Sequence, residues 1–147
     1  MIEIIKDNNK FFDCNVEAIV CTTNTVGVMG KGIALEFKKR FPDNFIAYKK
    51  WCNSGAKPGT VFMFERPSFP KIIFNFFTKD HWRYPSKIEW IASGLAELKK
   101  LIISTNVKSI CIPALGCANG KLNFDDVKLL IISCLKDLDC HILLFEP

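Results

Sequence analysis

Asn24-Thr-Val-Gly-Val-Met-Gly-Lys-Gly-Ile-Ala34 ends an apolar run and opens a helical one, with glycines at 27, 30 and 32. The preceding Glu17-Ala-Ile-Val-Cys21 reads as a buried strand, and Ile33, Phe37 and Phe41 recur at four-residue spacing on a helix face. Strand, glycine loop, helix is the local order. Glycine permits φ > 0 and close main-chain approach, and the free N–H groups and positive dipole end at a helix start favour a diphosphate. A tight strand-to-helix turn with no ligand has the same composition. Neither common nucleotide signature fits: Gly32 stands where a Walker loop needs Ser or Thr, and the glycine spacing is not Gly-x-Gly-x-x-Gly.

A second glycine loop, Pro113-Ala-Leu-Gly-Cys-Ala-Asn-Gly120, follows the apolar Ile110-Cys-Ile112 and leads to a helix that Asn123 can cap. In an open α/β sheet, ligands bind beyond the carboxyl ends of strands, so two such loops at neighbouring strand ends are placed to clamp one ligand from both sides.

Strands are expected near Ile2 to Ile5, Ala18 to Thr22, Thr60 to Phe64, Ile72 to Phe77, Ser109 to Pro113 and His141 to Phe145, with helical patterns between them. That alternation implies an α/β sandwich. Ser86-x-x-Glu89 reads as a capping box before a helix whose buried face is Ile88, Ile91, Leu95, Leu98 and Ile102. The helix after Asn123 carries Val127, Ile131, Leu135 and Leu138 inward.

At 147 residues and 49% hydrophobic, with no linker-like stretch, the chain reads as one domain spanning 1–147. No segment reaches the ~18 uninterrupted apolar residues of a membrane span, and the N-terminus lacks a signal-peptide pattern, so a cytoplasmic protein is expected. Seven cysteines, with no Cys-x-x-Cys pair and two histidines, indicate buried reduced thiols and neither disulfides nor zinc. Between Lys31 and Lys57, seven basic residues (31, 38, 39, 40, 49, 50, 57) face Glu36 and Asp43, an excess equal to the whole-chain +5. Such a patch concentrates an anionic partner such as nucleic acid; snorkelling lysines on two solvated helix faces give the same count.

Three blocks taken together resemble a macrodomain of the DarG branch, the ADP-ribosyl glycohydrolases of DNA-acting antitoxins. They are Asn24 to Ala34 with Phe37-Lys-Lys-Arg-Phe-Pro42, then Asn75-Phe-Phe-Thr-Lys79 with His81-Trp82-Arg83, then Pro113 to Gly120. Terminal-ADP-ribose glycohydrolases acting on protein are related. The resemblance spans about the whole chain and implies a three-layer α/β/α macrodomain with a mixed central sheet, ADP-ribose as ligand, and no metal or redox cofactor. It implies that Asn24 faces the distal ribose and that two loops enclose the ligand. The first is Thr25, Val26, Gly27, Val28, Met29, Gly30, Lys31, Gly32, Ile33 and Ala34; the second is Pro113, Leu115, Gly116, Cys117, Ala118, Asn119 and Gly120. Thr78 would contact the ligand and Lys79 would be catalytic.

The residues themselves support Lys79. Lys71-Ile-Ile-Phe-Asn-Phe-Phe77 is too apolar for a surface strand, and it ends in Thr78-Lys79 where the ligand is expected. Desolvation by the neighbouring phenylalanines would lower the lysine pKa towards a nucleophilic amine, whereas Asp80 or a diphosphate would oppose this. Action through its proton or charge is the alternative, and so is a lysine that only solvates a strand end. His81, Trp82 and Arg83 are candidates to stack and pair with single-stranded nucleic acid at the pocket mouth, unless Trp82 covers the sheet edge.

The chain departs from the family pattern at Cys21, where asparagine is usual, and at Ala118 and Lys121, where glycines are common. Asp7, Asn9 and Lys10 all stand near the usual adenine contact. The aspartate that assists the lysine in protein-acting relatives is Gly120 here, which favours the DNA-acting branch. The expected function is removal of ADP-ribose from thymidine in single-stranded DNA, reversing a cognate ADP-ribosyltransferase toxin. Hydrolysis of ADP-ribose esters on Glu or Asp side chains and non-catalytic ADP-ribose binding are the alternatives. With Glu146 and Pro147 following the last strand directly, either an excised domain or an antidote acting by catalysis alone is expected.

Overall fold

The computed structural model describes residues 1–147. Six strands, β1 (Ile2–Ile5), β2 (Ala18–Asn24), β3 (Val61–Glu65), β4 (Ile72–Lys79), β5 (Ser109–Ile112) and β6 (His141–Phe145), form one sheet in the order β1-β6-β5-β2-β4-β3. All neighbours are parallel except β3, an antiparallel edge paired with β4. The sheet is therefore mixed, as expected. β4 is buried along all eight residues, as a strand covered on both faces must be.

Four helices, α1 (Gly32–Arg40), α2 (Pro42–Asn53), α3 (Ile88–Thr105) and α4 (Phe124–Leu135), and a 3-10 turn at Asn8–Asp13 supply the outer layers. Phe37 of α1, Tyr48 and Cys52 of α2 and Phe11 of the 3-10 turn bury one face with Ile19, Ile73 and Phe77. Ile91, Leu95, Leu98 and Ile102 of α3 and Val127, Ile131 and Leu135 of α4 bury the other with Val20, Phe74 and Phe76. Each stripe repeats at helical spacing, and alternate strand residues supply its partners. Gly94 lets α3 approach closely, since a Cβ there would run into the Phe76 ring.

Three expectations change. Phe41 lies between α1 and α2, because a residue preceding proline disfavours α geometry, and Pro42 starts the next helix. Ser86 caps nothing: α3 starts at Ile88 behind Lys87, with no side-chain cap bond. Leu138 packs on the core from beyond the end of α4. Asn123 does cap α4, its side chain accepting the Asp126 N–H at 3.2 Å.

β2 sends its connection to the α1/α2 face, whereas the connections leaving β4 and β5 run through α3 and α4 on the other. Neighbouring β2 and β5 thus part to opposite faces, which opens a crevice at their carboxyl ends.

Candidate functional site

That crevice is a cleft of about 1170 Å³. The first loop contributes Asn24, Val28, Gly30, Lys31, Gly32, Ile33 and Ala34, and the second Pro113, Gly116, Cys117, Ala118, Asn119 and Gly120. Thr78 and Lys79 join from the end of β4, with Trp82 and Arg83 beyond it. The loops meet: a Cβ on Gly32 would stand 3.6 Å from Asn119 Nδ2.

Thr25, Val26, Gly27, Met29, Leu115 and His81 stand outside the lining. Met29 and Leu115 are core residues, 1% and 0% exposed, and anchor each loop from beneath. Gly27 turns at φ +89°, with Lys49 and Cys52 on its Cβ side. Thr25 ties the first loop to β4, its hydroxyl donating to the Asp80 carbonyl at 2.7 Å.

The start of α1 is open to an anion. No side chain caps it, no acidic residue occupies its first turn, and Gly32 has φ +55°, leaving main-chain N–H groups for a ligand. The second loop is closed by Leu122 N–H donating to Gly116 O at 2.9 Å and Ser86 N–H donating to Gly120 O at 3.0 Å. A Cβ on Gly120 would overlap the Gly116 carbonyl oxygen and Ser86 Oγ. Lys121 follows in the left-handed region at φ +63°, where glycine costs least.

Asn24 holds the first loop in place. Its Oδ1 accepts the Val26 and Val28 N–H groups at 3.1 and 3.4 Å, and Nδ2 donates to Val28 O at 2.8 Å. One Nδ2–H is then left for the cleft. Behind it, the buried Tyr48 hydroxyl accepts from Thr23 Oγ1 at 2.9 Å and donates to Asn24 O at 2.7 Å. Burial pushes the Tyr48 pKa up, so the hydroxyl remains a donor.

The β2–β4 register slips between Thr23 and Asn24, so that Asn24 sits opposite Lys79 and Thr78 is passed over. Such an irregularity re-aims the following side chain. Lys79 is 8% exposed, and its Nζ donates to Trp82 O at 3.2 Å. Burial holds its pKa below the ordinary lysine range, and the ammonium groups of Lys121 and Lys31 add to the effect. Asp80 Oδ1 lies 3.1 Å from Thr25 Oγ1, beside the main-chain carbonyl that receives that hydroxyl. The arrangement offers a partly desolvated amine beside two loops of main-chain donors and two further cations. Cys117 in the cleft stays a thiol, pushed up to about 11 by burial. No cluster of His, Cys, Asp or Glu suited to a metal is present.

Of the basic patch, Lys31 and Arg40 reach the cleft. Lys38 and Arg40 lie over the Phe45 and Phe12 rings at 4.7 and 4.5 Å, as snorkelling side chains do. Among the three adenine candidates, Asn9 lines the cleft, whereas the Asp7 carboxylate caps the 3-10 turn. Sequence reasoning missed Asn8, Phe11, Phe12, Phe145 and Glu146 as lining residues; the adjacent Asn-Asn and Phe-Phe pairs are the faint signal. Tyr48 had none, since a lone tyrosine in a helix reads as packing.

A Macro domain family model matches residues 20–131. A curated DNA ADP-ribosyl glycohydrolase of Thermus aquaticus is 43% identical over 151 residues, covering 100% of this chain and 41% of the relative. The chain thus spans about two fifths of that protein's length. The macrodomain of Thermus aquaticus DarG superposes with a TM-score of 0.94 at 43% identity, covering 100% of this chain and 99% of that one. Thermosipho africanus DarTG in complex with ADP-ribose gives 0.90 at 29% identity, covering 99% of this chain and 41% of that one.

Proposed function

The chain belongs to the macrodomain family, and from that premise we propose that it is an ADP-ribosyl glycohydrolase that removes ADP-ribose from thymidine in single-stranded DNA. The observation that carries the proposal is Lys79, a buried amine at the carboxyl edge of the sheet beside two glycine loops suited to a diphosphate. The activity named for the 43% identical relative supports the choice of DNA, as does Gly120 in place of a carboxylate that would assist ester hydrolysis.

In the proposed reaction the diphosphate lies against the uncapped start of α1 and the second loop, within reach of Lys31 and Lys121. C1″ of the distal ribose stands at Lys79. The neutral amine attacks C1″, the bond from C1″ to the base breaks, and the base departs with the electron pair and takes the proton released from the lysine nitrogen. The glycosylamine opens to a Schiff base, which water hydrolyses to free amine and ADP-ribose. No step requires an oxidant or a reductant.

The proposed setting is the cytoplasm, with a cognate ADP-ribosyltransferase toxin as the opposing activity. No helix is long and apolar enough to cross a membrane. Following free ADP-ribose from an ADP-ribosylated oligonucleotide and from a protein bearing ADP-ribose esters tests the proposal. Release from the oligonucleotide is expected; release from the protein alone, or binding without release from either, contradicts it.

A further inference from the structure

We infer that Trp82 is the platform on which the departing base stacks, and so the residue that selects a nucleobase-linked ADP-ribose over one linked to an amino-acid side chain. The inference rests on the proposed glycohydrolase reading. The bond to be broken joins C1″ directly to the base, so the base begins one bond away from the atom that Lys79 attacks. Lys79 Nζ is itself hydrogen-bonded to Trp82 O at 3.2 Å, which puts the main chain of Trp82 at the reacting end of the cleft.

Trp82 lines that cleft and leaves 48% of its surface to solvent, so the ring is accessible to a base held in the cleft. The exposed ring is also organised. His81 lies against it, with centroids 5.0 Å apart and planes tilted by 33°, and is fixed by its Nδ1 accepting the Arg83 N–H at 3.1 Å. The Arg83 guanidinium lies over the indole at 5.2 Å from its centroid, a cation available to a phosphate that flanks the base. Stacking on an aromatic ring is sequence-tolerant and electrostatic capture follows the backbone, so this surface suits an unpaired base within a strand. A glutamate or aspartate ester has no ring to place there.

The test pairs kcat/KM for an ADP-ribosylated single-stranded oligonucleotide with the Kd of free ADP-ribose, which carries no leaving base. Trp82→Ala should lower kcat/KM at least about tenfold, or ~1.4 kcal/mol, with the Kd unchanged within about twofold. Trp82→Phe should recover most of the loss. Equal losses in kcat/KM and in ADP-ribose affinity, or no loss in either, overturn the inference while leaving the glycohydrolase reading intact. A wild-type chain that releases nothing from the oligonucleotide overturns that reading and the inference with it. Because the side chain is half exposed, thermal melting should place Trp82→Ala close to wild type.

Discussion

Tyr48→Phe removes one oxygen atom from the core and leaves the ring and its volume in place. The hydroxyl accepts from Thr23 Oγ1 at 2.9 Å and donates to Asn24 O at 2.7 Å, and Thr23 and Asn24 are both buried. Without it, a buried hydroxyl loses its acceptor and a buried carbonyl its nearest donor, each worth about 1–3 kcal/mol when nothing replaces it. Two features reduce the sum: a threonine hydroxyl can rotate, and Cys52 Sγ already lies 3.8 Å from Asn24 O as a weak donor. A net loss of about 2 kcal/mol follows, which for a chain of this size lowers Tm by about 4–8 °C. The strain falls on Asn24, whose side chain holds the first loop, so ADP-ribose affinity should also fall, by up to about tenfold. Thermal melting followed by calorimetry with ADP-ribose reads both quantities. A variant melting within about 1 °C of wild type, with unchanged affinity, would refute the argument that this hydroxyl organises the loop.

Gly120→Ala should weaken ADP-ribose binding and cost about 1–3 kcal/mol of stability, because the new methyl meets the Gly116 carbonyl and Ser86 Oγ; wild-type calorimetry and melting would contradict the packing described. Lys79 is held below its ordinary pKa, so the folded state binds fewer protons than the unfolded one. Its contribution to stability therefore increases as pH rises through the window between the folded and ordinary values. The neutral amine fraction, and turnover with it, should rise through the folded value. Lys121→Gly relieves a left-handed backbone and removes one of the cations that depress Lys79, so the ascending limb of the rate profile should move to higher pH; an unmoved limb counts against the coupling.

The sequence announced those parts of the fold that depend on local pattern. β6 and β1 begin and end where apolar runs do, the Asn123 cap follows from side-chain chemistry, and both glycine loops stand at strand ends. The β2/β5 crevice was legible only in part, because strand order and the antiparallel direction of β3 are set by long-range packing. Ser86 matched a capping pattern, but its backbone pairs with the second loop instead. Met29 and Leu115 look like loop residues, yet a loop needs an anchor and they point into the core. Lys79 was singled out through the resemblance; the residues alone fitted equally a lysine that solvates a strand end, and its burial became visible only in the fold. The depression of its pKa by burial, and further by Lys121 and Lys31, depends on bringing three distant segments together.

Chemistry at Lys79 and binding at the two loops are separable by one substitution. Lys79→Ala, assayed side by side for ADP-ribose affinity and for release of ADP-ribose from a modified oligonucleotide, separates the two. Affinity is predicted to stay within about tenfold of wild type, while turnover falls by about 10³-fold or more and borohydride traps an adduct in wild type alone. Full turnover in Lys79→Ala would contradict the account.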